Sequence, residues 1–138
     1  VALSRYCLDT SAYSQFKRGD PQVVDRIDRA DWLGVPSIVL GELWIGFLLG
    51  DRLAKNQREL EEFLASPEVE RIAVDEQVSR IYAEICVSLR RAGTPVPSND
   101  IWIAATAIHS GAPVLTYDTH FNDIQQVQSV ILSPPGRP

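Results

Sequence analysis

Apolar residues recur along this chain in two periods, and the switches between them mark out short strands and longer helices. Leu3 to Leu8 is a mostly apolar run that predicts a buried strand ending at Asp9, after which Asp9-Thr10-Ser11 opens a helix. Asp20-Pro21 starts a second helix, Gln22 to Trp32, with Val23, Val24, Ile27 and Ala30 on one face and Asp25, Arg26, Asp28 and Arg29 on the other. Leu33 to Ser37 is a second strand, weakened by Gly34 and Pro36, leading into an apolar helix from Ile38 to Leu49. Asp51 to Ala65 is a charged helix that turns Leu53, Leu60, Phe63 and Leu64 inward, and Ser66-Pro67 ends it. Val69 to Val74 follows as a third strand. Asp75 then begins a helix with a core stripe of Val78, Ile81, Tyr82, Ile85 and Leu89, closed by Gly93. Pro97, with Ser98 or Asn99 as N-cap, starts the next helix, in which Ile101, Ala104, Ala105 and Ile108 face the core and which Gly111 ends. Pro113 to Thr116 and Gln128 to Leu132 are the last two strands, and Ser133 to Pro138 reads as a loose tail.

Alternation of strands and helices over short connections predicts a three-layer α/β domain with a mostly parallel sheet, spanning residues 1–132 with the tail at 133–138. A length of 138 residues, 45% of them hydrophobic, suits one such unit with a substantial core. A net charge of -5 and a pI near 4.9 exclude a protein that grips nucleic acid by bulk charge. A local basic patch is still open to it: Arg52, Lys55 and Arg58 either supply one or are salt-bridged to Glu59, Glu61 and Glu62. The longest apolar run, Ile38 to Leu49, is shorter than the roughly 20 residues of a membrane span and carries Glu42, and no signal-peptide pattern is expected at the start. Cys7 and Cys86 lie far apart, which points to reduced thiols in a cytoplasmic protein rather than a disulfide framework.

The candidate chemistry lies in the acids. Asp100 stands in the first turn of an otherwise apolar helix, a placement that as a complement to the helix dipole is worth under about 1 kcal/mol. Asp9, Asp75 and Asp118 each lie just past a strand, where α/β enzymes keep their chemistry and where an acid can equally be a helix cap. Glu42 has Ile38, Val39, Ile45 and Gly46 as its helical neighbours. A carboxylate on so apolar a surface is costly unless it is paired, metal-bound or at a cleft edge; otherwise it marks a thin solvent-facing stripe. With 18 acids in 138 residues one such placement is ordinary, and the convergence of several is the informative feature.

The segments Tyr6-Cys7-Leu8-Asp9-Thr10-Ser11, Leu40-Gly41-Glu42-Leu43 with Gly46, Asn99-Asp100-Ile101-Trp102-Ile103-Ala104-Ala105 and Leu115-Thr116-Tyr117-Asp118, followed by His120-Phe121, carry a resemblance. In this order and over nearly the whole chain they resemble the PIN-domain nucleases and, within them, the VapC-type toxins of bacterial toxin-antitoxin pairs. The resemblance implies an acidic quartet of Asp9, Glu42, Asp100 and Asp118, with Thr116 as a polar supporter and Asp75 outside it. It also implies the sheet order 3-2-1-4-5, in which the ends of strands one and four form the crevice at the topological switch point and the third strand lies at an edge. Tyr117 departs from the small polar residue often found before the last acid, a change expected to touch substrate contacts more than metal binding.

Oxygen ligands clustered without Cys or His suit Mg²⁺ or Mn²⁺ rather than zinc. The implied activity is metal-assisted phosphodiester hydrolysis of a structured cellular RNA, with a metal held by Asp9, Asp100 and Asp118, and Glu42 binding a second ion or orienting water. Implied partners are a VapB-like antitoxin whose tail blocks the acidic site and a second copy of the chain, in a homodimer or a toxin-antitoxin hetero-oligomer. The apolar residues Trp44, Phe47, Leu48 and Leu49 are the natural docking face, unless they are plain core. His109 and His120 are available as general acids, although a helix-end and a loop histidine are more often structural or solvated. Two rivals stand beside this reading. One is a catalytically silent PIN-like binding module. The other is a Mg²⁺ phosphatase on a related fold, which usually wants Asp-x-Asp after the first strand where this chain has Asp9-Thr10-Ser11.

Overall fold

Residues 3–135 are described in a computed structural model. Arg5–Leu8 (β1) and Val114–Thr116 (β4) pair at the centre of a parallel sheet completed by Trp32–Pro36 (β2) and Val69–Ile72 (β3) on one side and Ser129–Ile131 (β5) on the other. The strand order is β3-β2-β1-β4-β5, as the resemblance implies. Six helices cover the sheet: Thr10–Lys17 (α1), Pro21–Arg29 (α2), Ser37–Leu49 (α3), Leu53–Leu64 (α4), Glu76–Ala92 (α5) and Ser98–Ser110 (α6). The chain steps from β1 to β2 to β3 in one direction and returns from β3 to β4 in the other, so right-handed crossovers put α1 to α4 on one face and α5 and α6 on the other. No helix among the described residues is long and apolar enough to cross a membrane.

Several boundaries differ from the sequence expectation, each for a local reason. The second helix stops at Arg29 instead of Trp32, because Ala30 turns extended and the Asp31 and Trp32 amides both donate to the Ser4 carbonyl while Asp31 accepts from the Ser4 amide. Those bonds draw Trp32 into the sheet. Pro36 is tolerated in β2 because it lies past the last β1 pair, Cys7 with Gly34, and needs no donor on that side. The cap position of α6 is Pro97, not Ser98 or Asn99, and its carbonyl accepts from the Asp100 and Ile101 amides. This helix is buried over a wider sector than one stripe: Ile103, Thr106 and Ala107 are buried along with Ile101, Ala104 and Ala105, whereas Ile108 is only half-buried. α6 lies between the sheet and α5, against which Tyr82 and Trp102 stack at 3.7 Å, so two of its sides are withdrawn from water. At the far end, Ser133 exchanges two hydrogen bonds with Gln22, and Gly136 to Pro138 of the expected tail lie outside the described residues.

Gly34 sits in the middle of β2 because the Trp32 indole folds across it, with the Arg5 guanidinium over that ring at 4.3 Å from its centroid. A Cβ at Gly34 would lie 2.5 Å from the indole and 2.6 Å from Ile72 Cδ1. Gly34→Ala is therefore expected to destabilise the fold by about 1–3 kcal/mol through overpacking, seen as a lower urea midpoint at unchanged slope. An unchanged midpoint would show that the indole moves aside at no cost.

Candidate active site

Four acids expected from the sequence arrive at the carboxyl end of the sheet by four different routes. Asp9 follows β1 directly and caps α1, accepting from the Ala12 amide at 2.9 Å. Asp118 stands two residues past β4 and caps the short 3₁₀ turn Thr119–Asp123 by accepting from the His120 amide. Asp100 comes from the first turn of α6, whose other end is fixed by the Arg5 guanidinium, at the start of β1, donating to the Ser110 carbonyl. Glu42 comes from the second turn of α3, which leaves the carboxyl end of β2. Asp75 is excluded from this gathering, as expected. It caps α5 by accepting from the Val78 amide and faces His109 at 3.9 Å, nine residues along α6 from Asp100, a rise of roughly 13 Å.

Two hydroxyls tie the ends of β1 and β4 together. Thr116, fully buried, donates to Asp9 Oδ2 at 2.5 Å and accepts the Asp118 amide at 2.8 Å. Ser11 does the same in mirror fashion, donating to Asp9 Oδ1 at 2.8 Å and accepting the Tyr117 amide at 3.0 Å. Each hydroxyl thus spends its proton on Asp9 and its lone pair on the loop that carries Asp118. Glu42 resolves its apolar setting by partnership: Thr10 donates to its Oε1 at 2.5 Å and the Asn99 amide donates to its Oε2 at 3.3 Å. Asn99, offered by the sequence as a cap, serves as that donor instead.

Asp100, Asp118 and His120 each offer one ligand atom, and these atoms all lie within 4.8 Å of one another. His120 Nδ1 is 3.4 Å from Asp100 Oδ2 and 3.1 Å from Asp118 Oδ1. Desolvation first, then the charge of Asp118, holds the Asp100 carboxyl above its ordinary range; Glu42 adds to the effect and His120 opposes it. A cation would relieve acids that raise one another in this way, and a cluster of carboxylates is a donor set able to hold a metal. His120, which the sequence offers as a loop histidine, stands beside both acids, and its place directly after the last acid motif is the sequence signal for that position. The Tyr117 hydroxyl donates to Asp20 at the α1–α2 junction and so pins the loop outside the acid cluster.

Two surfaces flank the site. Lys17, Arg18, Arg52 and Lys55 line a groove of about 460 Å³ with Tyr13, Leu43 and Phe47. Its charge is partly spent, because Glu59 pairs with Lys17 at 3.0 Å and Lys55 at 3.6 Å. On the C-terminal half of α3, Ile45, Leu48 and Leu49 are exposed, Leu49 by 85%, so this face is not plain core. Trp44 and Phe47 pack edge to face beside them.

Residues 6–127 match the PIN domain family. The chain is 34% identical to the ribonuclease VapC4 of Mycobacterium tuberculosis over 130 residues, covering 93% of this chain and 97% of that one. Among solved structures it superimposes on VapBC-5 of M. tuberculosis, a member of the VapBC family of toxin-antitoxin systems, with a TM-score of 0.74 and 27% identity, covering 94% of this chain and 99% of that one. The fold is also that of VapBC2 from Rickettsia felis bound to a DNA fragment from its promoter, with a TM-score of 0.83 at 23% identity, covering 94% and 99% of the two chains.

Asp9 is 4% exposed, and burial pushes its carboxyl from 3.8 up to about 6 against the pull of Thr116, the Ala12 amide and Ser11; the charge of Asp118 adds to the rise. A raised acid favours the folded state below its unfolded value and loses that contribution as pH climbs through the folded one. In metal-free protein the stability tied to Asp9 is therefore complete below about pH 4 and gone above about pH 6, a difference of at most about 3 kcal/mol. Asp9→Asn in EDTA is expected to be more stable than the parent at pH 7, with the gap closing toward pH 4, as read from urea midpoints at each pH. A gap that does not change with pH would mean that Asp9 does not titrate in this window.

Proposed function

Because the chain belongs to the PIN-domain family and, within it, to the VapC-type ribonucleases, we propose that it is a metal-dependent endoribonuclease, the toxin of a toxin-antitoxin pair, cutting structured cellular RNA. The observation that carries this reading is the convergence of Asp9, Glu42, Asp100 and Asp118 from four segments onto the one sheet end where β1 and β4 meet.

Asp100 and Asp118 would hold Mg²⁺ or Mn²⁺, with Asp9 beside them. The bound metal supplies an acidified water at neutral pH and offsets charge on the scissile phosphate. Thr116 and Ser11 fix the Asp9 carboxylate and the Asp118 backbone in one unit, so neither must reorganise when substrate arrives. Glu42, with one donor on each oxygen, keeps its remaining lone pairs free to orient water. Without a cation these acids would repel an RNA phosphate, which makes the metal a condition of binding as well as of cleavage.

The antitoxin reading rests on α3. Ile45, Leu48 and Leu49, joined by Leu53 at the start of α4, form an exposed apolar face on the same helix as Glu42, where a VapB-like segment could dock and run on to the acids. A homodimer is part of the same proposal. Free thiols at Cys7 and Cys86, with Cys7 buried and raised far above the usual thiol range by burial, fit a reducing cytoplasm.

Partner-free protein should cut total cellular RNA into discrete products with Mg²⁺ or Mn²⁺ and fall silent in EDTA. Asp118→Asn is expected to lose about 100-fold or more of the rate while its unfolding free energy from urea titration stays within about 1 kcal/mol of the parent. Undiminished cleavage in EDTA or in the variant would overturn the reading. Mn²⁺ binding without any RNA cleavage would favour the silent binding module.

A further inference from the structure

We propose that His120 is a nitrogen ligand of the metal held by Asp100 and Asp118, which makes this centre a mixed imidazole-carboxylate site rather than an all-oxygen one. The inference rests on the metal-nuclease reading and goes beyond the acidic quartet.

The imidazole is aimed by the backbone. Asp118 accepts from the His120 amide at 2.9 Å, which sets the first residues of the 3₁₀ turn, and the next residue, Phe121, is 1% exposed and anchors the turn in the core. The ring therefore stands where the turn places it, with Nδ1 at 3.1 Å and 3.3 Å from the two Asp118 oxygens and 3.4 Å from Asp100 Oδ2. Neighbouring ligands on one octahedral Mg²⁺, with bonds of about 2.1 Å, are about 3.0 Å apart. The nitrogen-to-oxygen separations are close to that edge, and all three ligand atoms lie within 4.8 Å of one another, so the three groups could share one ion. The side chain of His120 is half exposed, at 50%, so one side of the ring meets water.

A nitrogen donor changes which ion the site prefers. Mg²⁺ is hard and favours oxygen, whereas imidazole suits transition ions, so adding His120 tilts a carboxylate site toward Mn²⁺. The competing structural role has the opposite sign. If Nδ1–H merely bridges the two carboxylates as a hydrogen-bond donor, it occupies the cation's place, and removing the ring would leave metal binding equal or tighter.

Titration calorimetry with Mn²⁺ and with Mg²⁺ on the full chain and its His120→Ala variant separates these roles. The ring is exposed, so the variant is expected to fold. Mn²⁺ affinity should fall about tenfold or more in the variant, and Mg²⁺ affinity by less. Pulsed electron paramagnetic resonance of the Mn²⁺-loaded parent should show nitrogen hyperfine coupling that vanishes in His120→Ala. Mn²⁺ binding with no nitrogen coupling, or with affinity unchanged or improved in the variant, overturns the ligand role and leaves the nuclease reading intact. Failure of the folded parent to bind Mn²⁺ at all would overturn both.

Discussion

The Asp9 carboxylate is almost wholly withdrawn from water at the end of the central strand, and the charge of Asp118 reaches it there. Asp118 in turn bears on Asp100, and Glu42 bears on Asp100 from the other side. This chain of repulsion is the constraint to which the surrounding structure answers. Hydroxyls of Ser11 and Thr116 and the Ala12 amide compensate Asp9, Thr10 and Asn99 compensate Glu42, and the His120 ring faces the remaining pair. Desolvation outweighs three donors at Asp9, since its carboxyl remains raised in spite of them. A cation bound at such a site would relieve that repulsion, so in the proposed function the cost of gathering the acids and their use have one origin.

Much of the fold was legible in the sequence because the relevant signals are periodic and local. Apolar runs of strand length, the charged and apolar faces of α2 and α4, and Gly93 and Gly111 at positive φ after α5 and α6 each act within one element. Boundaries that depend on distant partners were not so readable. Nothing within Gln22 to Trp32 tells that the Ser4 backbone will claim Asp31 and Trp32 for the sheet. α6 shows the same limit in another form: its burial on two sides follows from α5 and the sheet closing over it, which a single stripe of Ile101, Ala104 and Ala105 understates.

At the site, sequence order made the acids visible and left their supports hidden. Asp9, Glu42, Asp100 and Asp118 sit in segments whose pattern can be matched one at a time. Thr10 and Asn99 find Glu42 across separations of 32 and 57 residues, and Ser11 meets the Tyr117 amide across 106. Residues of these types are common helix starters, so their local reading as caps was complete in itself and gave no reason to look further. His120 was obscured differently: a loop histidine is ordinarily solvated, and this one, half exposed, turns Nδ1 toward Asp100 and Asp118 only through the turn that Asp118 and Phe121 set.

The bond from Thr116 to Asp9 spans 107 residues, and β4, which lies beside β1, comes in the chain only after β2, the partner on β1's other edge, and β3 beyond it. As the ribosome makes this chain, its first acid emerges early and waits with one flank of its strand bare until β4 and the loop behind it have been synthesised. Until then the cluster of acids is incomplete. A chain stalled or cleaved before β4 therefore carries Asp9, Glu42 and Asp100 but neither Asp118 nor His120, and cannot assemble the cluster.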